Sequence, residues 1–177
     1  MHNQSPRRRP VENAVGFDFE FVRKEPAARP ACLPPMVITQ AVYAQATADL
    51  DSCEPEAAGI LLGPQNAEPL ATHWVLDRSG RSTGVSFTLN VESLNEVLRH
   101  HRQCDLTCVG IIHSHPRGMT TPSLGDLAYL EELFFGRANE ELDRFLFPIF
   151  CDGRFYPYIV WRSDGRLVVT PAAMLFV

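Results

Sequence analysis

Leu106-Thr107-Cys108-Val109-Gly110-Ile111-Ile112-His113-Ser114-His115-Pro116 is the stretch on which the fold turns. Leu106 to Ile112 runs almost continuously apolar, without the alternation of a half-solvated strand, so it predicts a central strand buried on both faces. That strand delivers the chain directly into two histidines two residues apart. Residues i and i+2 of a strand point to the same side, so both imidazoles can reach one ion. Alone, the pair equally describes two surface histidines at a strand end, and that reading is the commoner one.

Downstream, a loop with Gly118 and Pro122 leads into Ser123-Leu124-Gly125-Asp126 and a helix from about 123 to 135. Ser123 as N-cap with an acid three residues on is what a helix start needs for local reasons. The same geometry points the Asp126 carboxylate out of the first turn, where it can act as a third ligand. Two neutral imidazoles and a carboxylate leave a fourth tetrahedral position for water, the arrangement of a catalytic rather than a structural zinc site. Upstream, Glu56 stands before the small-residue strand Ala57-Ala58-Gly59-Ile60-Leu61-Leu62, closed by Gly63-Pro64. By itself it is an acid at a strand entrance, and Glu54 competes with it.

The remaining pattern completes a mixed α/β domain with no internal repeat. Ile38, Val42, Ala46 and Leu50 recur every four residues and predict a helix ending near Asp51. Strands are expected at about 71–77 and 85–89, joined by the polar loop 78–84. Asn90 can cap a helix carrying Val91, Leu94, Val97 and Leu98 on one face. Three further strands are expected near 145–151, 155–161 and 166–170. Residues 1–36 hold six of the 14 prolines and read as an extension. Within it Val15, Phe17, Phe19 and Phe21 alternate with polar residues or glycine, predicting one strand at about 15–22, most simply an extra strand on the domain's own sheet. The domain proper spans 37–177.

Composition narrows the function. At 177 residues the chain has room for one domain plus an extension, and 45% hydrophobic with 21% charged residues is ordinary for a globular protein. A net charge of −5 argues against nucleic acid as the main partner, and the one basic run, Arg7-Arg8-Arg9, reads as a solvated tail. No apolar run is long enough to span a bilayer. The five cysteines, Cys32, Cys53, Cys104, Cys108 and Cys151, are odd in number and include no C-x-x-C pair, and no apolar run follows the N-terminal arginines as a signal peptide would require, so a reducing cytoplasm is the expected setting. His73 lies in a strand beside Trp74, and His100-His101 end a helix, where structural roles suffice. Trp74, Trp161 and the C-terminal aromatics are expected in the core.

Taken together, Glu56-Ala57-Ala58-Gly59, His113-Ser114-His115-Pro116, Ser123 and Asp126 resemble the JAMM motif of catalytic MPN domains, E-x-x-G … H-S/T-H-P-x6-S-x2-D, with every element in order. The resemblance covers roughly residues 37–177 and is to the short bacterial-type JAB proteins. It implies an MPN fold, with a mixed, mostly antiparallel sheet flanked by helices as in the cytidine deaminases. It also implies a zinc peptidase in which His113, His115 and Asp126 bind one Zn2+ and a water completes the set. Glu56, preferred over Glu54 because x-x-Gly follows it, would be the catalytic base, and Ser123 would hydrogen-bond the oxyanion. Ser114 would support the ligands from behind, and Pro116 would fix the loop after them.

Members of that family hydrolyse peptide or isopeptide bonds at the C-terminus of ubiquitin-like proteins. Some bacterial members are encoded beside ubiquitin-like, E1-like and E2-like proteins in antiphage operons; others trim sulfur-carrier proteins. The implied partner is therefore a ubiquitin-like tail, Gly-rich and extended, added as a strand to an exposed edge, with the 78–84 loop and the strand after it as the clamp. Neither nucleic acid nor membrane is expected as a partner. Two rivals are a non-catalytic MPN scaffold, which characteristically lacks part of the ligand set, and a nucleobase deaminase, whose H-x-E … P-C-x-x-C signature is absent.

Overall fold

The computed structural model describes residues 35–177 except 55, 66–68, 83–86 and 141. The strand expected at about 15–22 lies outside the described residues. The chain opens with β1 (Met36–Ile38) and α1 (Gln40–Asp51), then β2 (Ala58–Pro64), β3 (Leu70–Ala71) and β4 (His73–Leu76). A small hairpin of β5 (Arg81–Ser82) and β6 (Phe87–Thr88) precedes α2 (Val91–Arg102), β7 (Leu106–Ser114) and α3 (Leu124–Phe135). The C-terminal part holds β8 (Arg144–Leu146), β9 (Ile149–Cys151), β10 (Arg154–Tyr156), β11 (Tyr158–Ser163), β12 (Arg166–Pro171) and β13 (Met174–Phe176).

β7 is the spine. It pairs antiparallel with β2 on one edge, and β2 continues to β4; its other edge runs parallel to β8 and β9. β8 leads on through β11 to β12, and β9 to β10, all antiparallel. The sheet is thus mixed and mostly antiparallel, with helices on both faces, as expected. Ile60, Leu62 and Ile111 pack with Leu94 and Leu98 of α2 and with Leu130, Leu133 and Phe134 of α3. Leu61 and Ile112 pack on the opposite face against Val42, Ala46 and Leu50 of α1. Both faces of β7 are therefore dry, which accounts for its unbroken apolar run. Among the described residues no helix is long and apolar enough to cross a membrane.

Several elements differ from expectation, each for a local reason. Ile38 keeps the helical spacing but belongs to β1, because Thr39 takes an extended conformation and caps α1 by accepting from the Val42 N–H. Ile38 still buries in the same core as Val42, so the apolar phase survives the change of conformation. The strand expected at 145–151 breaks into β8 and β9 at Phe147-Pro148, where proline has no N–H for the ladder. The one expected at 155–161 is likewise two, β10 and β11, and that at 71–77 is β3 and β4. A separate parallel sheet, β13-β1-β3, was not foreseen. Trp74 is buried and donates to Asp49 Oδ2, but Trp161 is only half-buried, and Phe176 is 49% exposed while packing edge-on to Tyr43.

Candidate metal centre

The spine strand carries the first histidine almost to its end. His113 pairs with Ala58 of β2 on one side and Ile149 of β9 on the other, and is buried. His115 lies just past the strand, where its N–H still donates to the Phe150 carbonyl at 2.8 Å. Its Nδ1 lies 3.0 Å from the Met119 carbonyl oxygen. A carbonyl can only accept, so Nδ1 carries the proton and Nε2 of the neutral ring presents a lone pair. Across from both, Ser123 and Asp126 form a capping box at the start of α3. Ser123 N–H donates to Asp126 Oδ2 at 2.6 Å, and Asp126 N–H donates to Ser123 Oγ at 3.2 Å.

Capping and convergence use the same carboxylate. Asp126 Oδ1 is 3.1 Å from His113 Nε2, and Oδ2 is 3.2 Å from His115 Nε2; the two Nε2 atoms are 2.7 Å apart. Donors around a tetrahedral zinc at about 2.0–2.1 Å sit about 3.3–3.4 Å from one another; each histidine lies near that distance from a different Asp126 oxygen, and the His–His distance is shorter. The chemistry of the donor set also suits a cation. A lone pair on His115 Nε2, a second imidazole nitrogen and a carboxylate all face one point, and only a positive charge satisfies them together.

Electrostatics point the same way. Burial would raise the Asp126 pKa, yet the two imidazoles beside it and the Ser123 N–H hold it well below the carboxylate range. For His115, burial pulls the pKa down, but the Asp126 hydrogen bond and charge, the Met119 carbonyl and the charge of Glu56 raise it overall. The cluster is thus built to hold positive charge.

Glu56 is buried and opens on the cavity that also contains His113, Ser123 and Asp126, whereas Glu54 is exposed. Its backbone is held from two sides. Glu56 N–H donates to Ser82 Oγ of β5 at 3.2 Å, and the neighbouring Ala57 exchanges two hydrogen bonds with Ser114. Ser114 accordingly faces away from the donor cluster, and Pro116 follows in the loop, where its carbonyl accepts from Met119 N–H. Ser123 Oγ accepts its capping hydrogen bond and keeps its own hydroxyl proton free to donate into the cavity. Sequence reasoning did not find Ser82, nor the cavity wall of Phe87, Leu89, Tyr129 and Phe147. Only folding brings those residues together, and no spacing signals it. His73, His100 and His101 stay outside the cluster; His101 Nδ1 instead lies 2.9 Å from the Val97 carbonyl.

A family model described as prokaryotic homologs of the JAB domain matches residues 36–163. The chain belongs to this family. The JAB domain family includes metallopeptidases, and the His113, His115 and Asp126 group could hold a metal ion. No curated protein sequence matches the chain. Among solved structures, the fold is similar to that of a Desulfitobacterium hafniense protein determined in solution, with a TM-score of 0.59 at 13% identity over 80% of this chain and 92% of that one. It is also similar to a Salinibacter ruber protein, with a TM-score of 0.53 at 20% identity over the same shares. At such identities the likeness shows the JAB-type fold alone.

Proposed function

We propose that this JAB protein is a zinc-dependent peptidase acting at the C-terminal tail of a ubiquitin-like protein. The observation that carries the reading is the convergence of three ligand-type side chains, two of which, His113 and Asp126, line one cavity with the buried Glu56 carboxylate and the capping Ser123. His113, His115 and Asp126 would hold the ion. Zinc bound there supplies a Lewis acid that brings the pKa of a water to about 7.

The chain's own residues do the rest. Glu56 accepts a proton from water and returns it to the leaving amine, and its burial beside the cluster keeps that transfer away from bulk solvent. Ser123 donates its hydroxyl hydrogen to the carbonyl oxygen as charge develops there. The Met119 carbonyl fixes the His115 tautomer, a role that outer hydrogen bonds commonly play around metal ligands. For the substrate, the β5–β6 hairpin is the proposed clamp. Among the described residues it pairs with no other strand, so it offers an edge to an extended tail. In this reading the work is precursor maturation or deconjugation in a bacterial ubiquitin-like pathway, with E1-like and E2-like proteins as neighbours, and the setting is the cytoplasm.

The test is to incubate the purified protein with ubiquitin-like fusions and follow product masses. Cleavage at the tail that stops with a chelator and returns with zinc supports the reading. Activity that survives both chelation and Glu56→Ala overturns it. Shortening the 78–84 loop should abolish cleavage with zinc retained if that loop is part of the clamp.

A further inference from the structure

The cavity that holds Glu56, His113, Ser123 and Asp126 does not end at them. The whole cavity, those four residues included, measures about 260 Å³, and its apolar side is walled by Phe87, Leu89, Val91, Ile111, Tyr129 and Phe147. These come from five places in the chain: the second hairpin strand and the segment after it, the start of α2, the spine strand, α3 and the break before Pro148. Apart from the donor groups, Thr88 and the Tyr129 hydroxyl, which is buried without a hydrogen-bond partner among the described residues, that wall is apolar. Ala58 of β2, opposite His113 in the ladder, adds a small side chain to the lining.

An open apolar pocket in continuity with a reactive centre holds a side chain of matching chemistry, because dry walls reward burial of apolar surface and penalise a chain that leaves them wetted. A glycine beside the scissile carbonyl would leave this space unfilled. We infer that the tail residue contributing the scissile carbonyl is large and apolar, of the leucine, methionine or phenylalanine class. This rests on the peptidase reading above and narrows it, departing from the Gly-rich tail that the sequence resemblance implies.

We place that residue on the acyl side because a tail held along β6 in the proposed clamp would pass Phe87 and Thr88, which line the same cavity as Ser123. The reaction balances as ordinary hydrolysis: water adds across the amide, the C–N bond breaks, the apolar residue leaves as a carboxylate and the far side as an amine.

The experiment compares one tail fusion carrying glycine, alanine, leucine or phenylalanine before the scissile bond, using zinc-loaded full-length protein. The expected result is a kcat/KM at least about tenfold higher for leucine or phenylalanine than for glycine, the scale on which apolar pockets discriminate side chains. Val91→Trp should shrink that ratio toward unity, and the gentler Val91→Phe serves if the tryptophan variant does not fold. A second readout is independent of turnover: an acetylated tetrapeptide ending in leucine should bind the zinc-loaded protein at least about tenfold more tightly by calorimetry than one ending in glycine. Zinc-dependent cleavage that favours glycine, or is indifferent, overturns this inference and leaves the peptidase reading intact. No cleavage of any fusion, with no difference between the two tetrapeptides, removes both.

Discussion

Ser114 Oγ accepts the Ala57 N–H at 2.8 Å, and the Ser114 N–H donates to the Ala57 carbonyl at 2.7 Å. The strand that presents the histidines is thereby fastened to the residue next to Glu56. Ligand and base positions, 57 residues apart in the chain, are set by one reciprocal pair.

Replacing Ser114 by alanine leaves the buried Ala57 N–H without its side-chain acceptor. The expected cost is about 1–3 kcal/mol of folding stability, the penalty of an unsatisfied buried donor. Urea denaturation checks it, and Ser114→Thr should restore most of the loss. A Ser114→Ala protein as stable as the parent would show that the pair is not what holds the two segments.

Metal should stabilise the fold in a way that depends on the donor cluster. At zinc concentrations a hundredfold above the dissociation constant, linkage gives about 2.7 kcal/mol, readable as a rise in Tm. His113→Ala should abolish the rise. Asp126→Asn keeps an acceptor for the Ser123 N–H, so the zinc-free variant should fold normally and yet respond weakly to zinc.

Gly59, the glycine of the E-x-x-G element, is required for space. A Cβ there would lie 2.2 Å from the Val75 carbonyl oxygen, 2.6 Å from Trp74 and 2.8 Å from the Leu76 Cα. Two of those three contacts are backbone of the paired strand β4. Gly59→Ala should therefore cost about 1–3 kcal/mol or more, by the usual scale of overpacking, and shift the denaturation midpoint accordingly.

Burial pushes the Cys108 thiol up from 9.0 to about 12, partly offset by a hydrogen bond with the Gly110 backbone. Because the folded pKa lies above the unfolded one, the associated stability is complete below pH 9.0 and is lost as pH rises toward about 12. Burial pushes the Tyr129 hydroxyl up as well, in the same sense. At about 1.36 kcal/mol per unit, denaturation at pH 10.5 should show roughly 2 kcal/mol less stability than at pH 8 from Cys108 alone. Cys108→Ala should flatten that slope. In the native protein at pH 8, exposed Cys104 should alkylate readily while Cys108 and Cys151 are protected.

Much of this was legible in the sequence because local rules and site geometry coincide. Leu106 to Ile112 announced a doubly buried strand, and Ser123 and Asp126 announced a helix start. The structure shows that capping and convergence on the histidines are one arrangement of the same carboxylate rather than alternatives. Glu56 and Glu54 could not be separated by spacing; burial separates them. The β13-β1-β3 sheet was hidden because its strands are two or three residues long and parallel, and β1 and β13 come from opposite ends of the domain, more than 100 residues apart. The Ser82 contact and the apolar pocket were hidden for a related reason: they depend on how a polar loop folds back over the sheet, which no periodicity encodes.

The most direct measurement is cleavage of a ubiquitin-like fusion by zinc-loaded wild-type and Glu56→Gln proteins, with bound zinc quantified in both samples. The account predicts equal zinc, close to one per chain, with the variant slower by at least about a hundredfold, as expected for loss of a general base. A Glu56→Gln protein that holds its zinc and cleaves at the wild-type rate would contradict it.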